Sequence, residues 1–137
     1  MKYFLARGLI LSAVLLFFSL STSECWAQDL PTERVAFEKG TSSATVEGSI
    51  SGRETLDYLL NVREGQYLNI SMASENGGIY FNIMEPGEQY VAIYNGSING
   101  NQFEGKTAKS GDYRIRVYLM KGAQNTTANY RLEMIVD

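Results

Sequence analysis

The chain of 137 residues contains no histidine, one cysteine and two prolines. Without histidine, neither a Ser-His-Asp nor a Cys-His catalytic apparatus can be built. The single cysteine, Cys25, lies in the N-terminal segment 1–27. A domain that begins after this segment has no disulfide and no histidine or cysteine ligand for zinc, so it must be stabilised by packed secondary structure.

The segment 1–27 has the order of a secretory signal peptide. Lys2 and Arg7 give it a basic start, and an apolar run follows at 9–20. The segment ends in small residues at Cys25 and Ala27, which suit the positions before a cleavage site. The sequence therefore predicts export.

Two alternatives to a cleaved signal peptide are disfavoured. An uncleaved membrane anchor needs about 20 apolar residues, and the run is shorter than that. A lipoprotein centred on Cys25 is opposed by Glu24, which stands where a small residue is needed. We expect cleavage after Ala27, a periplasmic location and one domain at 28–137, which is too short for two domains.

The predicted domain at 28–137 is mildly acidic. It holds 10 basic and 14 acidic residues and hence a net charge of −4, because Lys2, Arg7 and Glu24 leave with the signal peptide. Nucleic acid requires a positive protein surface. A basic protein partner suits an acidic domain, since opposite net charges speed encounter. We expect a protein partner, no nucleic acid and no membrane contact of the mature form.

Apolar and polar residues alternate through the domain, as is typical of strands with one buried face. The pattern is clearest near the C-terminus, where Tyr113, Ile115 and Val117 alternate with Arg114 and Arg116. A second alternating run follows a short polar loop, so the two runs are predicted to pair as a hairpin. A tight turn with glycine at 63–66 is predicted to join two further paired strands.

The whole domain contains turn signals spaced about 8–12 residues apart, and it shows no helical periodicity. This spacing favours an all-β fold. We predict an antiparallel β-sandwich, jelly-roll-like, of eight or nine short strands.

Two carboxylate pairs are close enough in sequence to be considered for glycoside hydrolysis. They are Glu54 with Asp57, and Glu85 with Glu88. Both pairs lie at turns or at a strand start, and nothing in the sequence marks them as desolvated. We expect no enzymatic activity and no catalytic residues.

The segment 95–106 has a spacing similar to that of a calcium loop, with Asn95, Ser97 and Asn99 at alternate positions. These residues are neutral, and Lys106 stands where the bidentate glutamate would be required. We expect no metal and no cofactor. The segment is interpreted as a loop that presents amide and hydroxyl groups to a partner.

Both loops and strands of the domain resemble a known family. The stretches are VAIYNGSINGNQFEG at 91–105, GDYRIRVYLMK at 111–121, TANY at 127–130, GTSSATV at 40–46 and YFNI at 80–83. They resemble the periplasmic inhibitors of g-type lysozyme from Gram-negative bacteria. The resemblance implies a β-sandwich without enzymatic activity that binds a lysozyme and fills its active-site cleft with loops.

The resemblance also implies that the loops at 51–55 and 121–127 take part in binding, with basic and aromatic side chains. Lys121 keeps a positive charge, whereas Asn125 stands where a second basic residue occurs in some relatives, and Arg53 where an aromatic residue can occur. Nine residues are expected to contact the lysozyme. They are Arg53, Glu54, Tyr94, Asn95, Ser97, Asn99, Tyr118, Lys121 and Asn125.

The sandwich pattern is also similar to the pre-peptidase C-terminal domains of secreted proteases. The alternative function is therefore a carbohydrate- or cell-wall-binding module. Exposed tyrosines such as Tyr94 and Tyr118 would serve as its sugar platforms. A glycosidase built on two carboxylates is the least favoured hypothesis.

Overall fold

The computed structural model describes residues 30–137, and the predicted signal peptide lies outside the described residues. Strands make up most of this part of the chain. They are β1 (Thr32–Val35), β2 (Ser43–Ser51), β3 (Thr55–Val62), β4 (Tyr67–Ala73), β5 (Ile79–Met84), β6 (Ala92–Asn95), β7 (Gln102–Lys106), β8 (Gly111–Leu119) and β9 (Thr127–Val136). A single-turn helix, α1, spans Gly96–Asn99, and a short 3-10 helix spans Lys121–Ala123.

The nine strands form two sheets that pack face to face. Sheet A has the order β1-β3-β8-β5-β6, and sheet B has the order β2-β9-β4-β7. Neighbouring strands are antiparallel, apart from the parallel pair β1–β3. The predicted antiparallel β-sandwich of eight or nine strands is confirmed, and the described strands number nine.

The predicted buried faces are also confirmed. In β8 the side chains of Tyr113, Ile115 and Val117 are buried, whereas Arg114 and Arg116 point to the other face. The same alternation runs along β9. Each fully buried large apolar side chain contributes about 1.5–3 kcal/mol, so the inward faces supply most of the stabilisation.

The predicted C-terminal hairpin is wrong. The strands β8 and β9 do not pair, because β8 lies in sheet A between β3 and β5 and β9 lies in sheet B between β2 and β4. Their apolar faces oppose each other across the core. Alternation specifies which face of a strand is buried, but it does not specify the neighbouring strand.

The pairing predicted across the turn at 63–66 is wrong for the same reason, since β3 and β4 also lie in different sheets. Within residues 30–137, β5–β6 is the one connection that joins neighbouring strands of the same sheet. Every other connection crosses from one sheet to the other.

The helix α1 was not expected from the sequence, which shows no helical periodicity. It is only four residues long, and so short a helix carries no readable period. It begins after Asn95, whose side-chain oxygen accepts a hydrogen bond from the Ser97 amide. Asparagine is a favoured N-cap residue, so the turn chemistry of this segment starts a helix.

A hydrogen bond between two tyrosines joins the sheets inside the core. Tyr58 of β3 and Tyr130 of β9 are both buried, and their hydroxyl oxygens are 2.7 Å apart. The ring of Tyr130 occupies the space beside Gly48, where a Cβ atom would overlap it. Burial raises the pKa of both hydroxyls, so both stay protonated and satisfy each other.

We predict that Tyr130→Phe lowers the free energy of unfolding by about 1–3 kcal/mol, because it leaves the buried Tyr58 hydroxyl without a partner. Tyr58→Phe should have a similar effect. The double variant should lose clearly less free energy of unfolding than the two single variants lose together, since it removes both polar groups. Urea unfolding of all four proteins measures the coupling, and strict additivity would contradict the prediction.

The edge strand β1 is fastened to sheet A by an ion pair that reaches across β3. Both terminal nitrogens of Arg34 donate to the Asp112 carboxylate, at 3.0 Å and 2.7 Å. The side-chain amide of Asn61 donates to the same carboxylate at 3.0 Å. The hydrogen bond from Arg34 and then that from Asn61 lower the pKa of Asp112 from 3.8 to about 2.

This lowered pKa gives stability a defined dependence on pH. The stabilisation is present above pH 3.8 and is lost as the pH falls towards the folded pKa of about 2, because the unfolded chain binds the proton more readily there. We predict that the unfolding midpoint of Asp112→Asn falls less steeply than that of the parent between pH 4 and pH 2. Parallel profiles in thermal unfolding would rule this out.

Candidate functional site

Four connections meet at one end of the sandwich, which we call the loop end. They are the segments 52–54, 74–78, 96–101 and 120–126. The strand register brings them together, since Ser51 pairs with Thr127, and Thr55 pairs with Tyr118. Each of these segments crosses from one sheet to the other, so together they cover this end of the core.

The segment 120–126 is a folded loop with its own hydrogen bonds. The amide of Ala123 donates to the Met120 carbonyl at 2.8 Å, and that of Thr126 donates to the Ala123 carbonyl at 3.0 Å. Ala123 packs against the core. Lys121 and Asn125 are exposed, so this loop presents both of its predicted contact residues outward.

The segment 52–54 lies beside it and is equally compact. The amide of Glu54 donates to the Ser51 carbonyl at 3.2 Å, and the Glu54 carboxylate accepts from the Ser51 amide at 3.0 Å. Gly52 has a positive φ of 63° and lies near the Gln124 carbonyl, so the two loops adjoin. Arg53 and Glu54 are both exposed.

The helix α1 is seated directly on the backbone of β5. Gly96 is buried there, and a Cβ atom at this position would overlap the Phe81 carbonyl oxygen. The next residue, Ser97, is held by the Asn95 cap through its amide at 3.1 Å and its hydroxyl at 2.7 Å. Asn99 at the C-terminal end of α1 is exposed.

Tyr94 and Tyr118 support the loop end instead of projecting from it. The Tyr94 ring packs against Phe81 and Phe103, with centroids 5.5 Å and 5.2 Å apart. Its hydroxyl donates to the Gly100 carbonyl and, at 2.8 Å, to that of Gln102, and burial raises its pKa. Tyr94 is therefore not the exposed platform that the alternative sugar-binding function would need.

Tyr118 lies on the outer face of sheet A, as the alternation predicts, but it is only half exposed. Its hydroxyl donates to the side-chain oxygens of Asn82 and Asn95, at 2.9 Å and 3.3 Å. It thereby braces the residue that caps α1.

All nine predicted contact residues lie at or next to the loop end, although they come from three separate stretches of sequence. Five of them are exposed, and four are half-buried and hold the loops in place. The exposed group is Arg53, Glu54, Asn99, Lys121 and Asn125. The half-buried group is Tyr94, Asn95, Ser97 and Tyr118.

The loop end also has two exposed apolar side chains that the sequence pattern did not predict as contact residues. Ile98 of α1 is 77% exposed and Met120 is 43% exposed. Ile98 could have been identified from the sequence, because it is an apolar residue inside a turn-rich segment, where side chains are commonly exposed. Apolar groups of this kind are common anchors at the buried centre of protein interfaces.

The segment 74–78 was also missed as part of the site. It contacts the segment 120–126 through two hydrogen bonds. The Asn76 side chain donates one to that segment, and the Gly78 carbonyl accepts the other from it. Its sequence, Ser-Glu-Asn-Gly-Gly, reads only as a generic turn. The contact between the two segments follows from the sheet order, which the sequence did not reveal.

The structure corrects one statement about the carboxylates. Asp57 is fully buried and is therefore desolvated, contrary to expectation. It accepts from Arg114 at 2.8 Å and from the Nε and a terminal nitrogen of Arg116 at 2.8 Å and 2.9 Å. The hydrogen bond to Asp57 raises the pKa of Arg116. Two guanidinium groups thus engage this carboxylate, which links strands β3 and β8.

Within residues 30–137, no helix is long and apolar enough to cross a membrane. The same residues contain no cluster of three acidic, histidine or cysteine side chains that would hold a metal ion.

Several solved structures resemble the domain. A periplasmic inhibitor of g-type lysozyme from Aeromonas hydrophila is 29% identical with a TM-score of 0.72, and the match covers 79% of this chain and 97% of that chain. A mutant of the corresponding inhibitor from Escherichia coli is 26% identical with a TM-score of 0.61, over 80% of this chain and 100% of that chain.

The pre-peptidase C-terminal domain of a Bacillus anthracis collagenase is also similar. It is 26% identical with a TM-score of 0.57, over 80% of this chain and 97% of that chain. No protein-family model and no curated protein matches the chain. The resemblance predicted from the loops and strands is confirmed: over the whole described domain, this chain is similar to the periplasmic inhibitors of g-type lysozyme.

Proposed function

We propose that this domain is a periplasmic inhibitor of g-type lysozyme and that its loop end blocks the active-site cleft of the enzyme. The observation that carries the proposal is the convergence of the loops at one end of the sandwich. The segment 96–101, which lies in a stretch that resembles the inhibitor family, and the segment 120–126, which begins in another such stretch, lie at this end together with 52–54 and 74–78. Similarity to solved inhibitors over the whole domain supports the same function.

The chemistry of the loop end suits a cleft that contains an acidic catalytic residue. Arg53 and Lys121 are exposed cations on adjoining loops, and each could donate a charge-assisted hydrogen bond to a carboxylate. The exposed Ile98 and Met120 add apolar area to the same end of the sandwich. A buried carboxylate of the enzyme that is left without a donor would cost affinity, so the placement of these cations matters.

The loop end differs in net charge from the rest of the domain. The loop end carries two basic residues, Arg53 and Lys121, and two acidic ones, Glu54 and Glu75, so it is neutral. The acidic excess of the domain therefore lies on the remaining surface. Such a distribution attracts a basic protein at long range while it leaves cations free to face the cleft.

The direct test is a lysis assay with purified domain and cell-wall substrate. Inhibition of g-type lysozyme at a near-stoichiometric ratio is expected, with c-type and i-type lysozymes as comparison enzymes. Full lysis by g-type lysozyme at a large molar excess of the domain would overturn the proposal.

A second candidate function is a cell-wall-binding module. An open concavity of about 1380 Å³ lies beside the loop end on sheet B. Hydroxyl and amide groups, which could bind a glycan, make up much of its lining: Ser49, Ser74, Asn76, Thr127 and Asn129. Similarity to the collagenase domain is compatible with such a module. This candidate is weaker, because the half-buried ring of Tyr94 packs against Phe81 and Phe103 and so offers no free sugar platform. Sedimentation with peptidoglycan in the absence of lysozyme tests it.

We predict that Lys121→Ala weakens inhibition more than Lys39→Ala does. Both lysines are exposed, but Lys39 lies in the β1–β2 connection at the opposite end of the sandwich. Loss of a charge-assisted hydrogen bond should raise the inhibition constant about tenfold or more. Equal effects of the two changes, with both variants folded, would mean that the wrong loop has been assigned.

We also predict that Ile98→Ser weakens inhibition about tenfold, through the loss of buried apolar area at the interface. Val91→Ser is the matched control, since Val91 is 65% exposed and lies in the β5–β6 connection at the opposite end. The comparison requires equal thermal midpoints. Retention of full inhibition by Ile98→Ser would place α1 outside the interface.

A further inference from the structure

Two hydrogen bonds tie the segment 74–78 to the segment 120–126. The Met120 amide donates to the Gly78 carbonyl at 2.8 Å. The side-chain amide of Asn76 donates to the Thr126 hydroxyl oxygen at 2.8 Å. The first bond holds the start of the loop and the second holds its end.

Asn76 is the centre of a chain of hydrogen bonds that begins on β9. The Ser74 hydroxyl donates to the Asn129 carbonyl at 2.6 Å and accepts from the backbone amide of Asn76 at 3.1 Å. The Thr126 hydroxyl, which accepts from Asn76, donates in turn to the Ala123 carbonyl at 2.6 Å. This chain of hydrogen bonds connects the middle of the loop, at Ala123, to strand β9 of sheet B.

The other polar atom of the Asn76 side chain fixes the shape of its own segment. Its oxygen accepts from the Gly78 amide at 2.9 Å. Both halves of the amide group are therefore used, one within 74–78 and one towards 120–126.

Gly78 and Ala123 fit each other sterically. A Cβ atom at Gly78 would overlap the methyl group of Ala123, so any other residue at this position would push the loop away. Because Ala123 is itself packed against the core, a displacement here must be transmitted to the rest of the loop.

We infer that Asn76 and Gly78 are positioning residues that fix the segment 120–126, and with it Lys121 and Asn125, in the conformation that a lysozyme binds. This inference rests on the proposed function. Neither residue needs to touch the enzyme. A loop that is held before binding pays no ordering cost in the complex, so these residues act on the lifetime of the complex more than on its rate of formation.

The inference is tested by measuring association and dissociation rates with g-type lysozyme for a cycle of four proteins. In the parent background, Gly78→Ala should speed dissociation at least about tenfold. In the Ala123→Gly background, where the opposing methyl group is absent, the same change should alter dissociation less than about twofold. An equal effect in both backgrounds, or no effect in the parent, would overturn the inference.

Asn76→Ala provides a second test of the inference, one that depends neither on steric overlap nor on whether Gly78→Ala folds. It should speed dissociation at least about fivefold, because it removes both the hydrogen bond to Thr126 and the one from the Gly78 amide. Thr126→Val removes the other partner of the same bond. The combined effect of the two changes should be clearly smaller than the sum of their separate effects, because the shared bond can be lost only once, and additive effects would contradict a shared role.

Hydrogen exchange in the free domain separates this inference from the proposed function. In Asn76→Ala the amides of Ala123 and Thr126 should exchange faster, because their loop loses its support. The Glu54 amide, which is bonded within the segment 52–54, is the internal control and should not change. If the parent does not inhibit lysozyme, the proposed function fails, while this exchange result still decides whether the segment 74–78 positions the loop. Unchanged exchange at all three amides would overturn the inference.

Discussion

Burial of the inward-facing side chains between the two sheets is the interaction on which the rest of this domain depends. The described residues contain no cysteine or histidine, so neither a disulfide nor a histidine–cysteine metal site can share the task. Tyr58 and Tyr130 meet inside this core, and their two hydroxyls satisfy each other across the gap between the sheets. A hydrogen bond in this position opposes any shift of one sheet against the other, because a shift would leave two buried hydroxyls without partners.

The position of the loop end follows from that packing. Each connection at this end must pass from one sheet to the other, so the four segments are drawn over the same edge of the core. Their shapes are then set by short contacts: Gly96 against the backbone of Phe81, and Gly78 against Ala123. A rigid framework with compact loops is a suitable design for an inhibitor, since the surface exists before the partner arrives. In these loops, one set of residues faces solvent and a different set holds the loop in its conformation.

The sequence predicts the faces of the strands well, and their partners poorly. Tyr113 and its neighbours in β8 alternate clearly enough to assign the buried face, because the period of two depends on residues that are adjacent in the chain. Pairing depends on residues far apart, so β8 and β9 were wrongly joined as a hairpin. The convergence of the loops was accessible only through the family resemblance. The burial of Asp57 between two arginines was not accessible, because it depends on the pairing of β3 with β8.

The crossing of nearly every connection between the sheets has a kinetic consequence. Of the strand pairs in residues 30–137, only β5–β6 joins strands that are consecutive in the chain, so only this hairpin can form locally. Each remaining ladder must wait until distant parts of the chain meet, and the loop-closure entropy is lost before the contacts form. Folding on the scale of about milliseconds to seconds is therefore expected, as for other β-sandwiches of this size. The loop end can acquire its shape only at the last stage, when strands of both sheets are already in place.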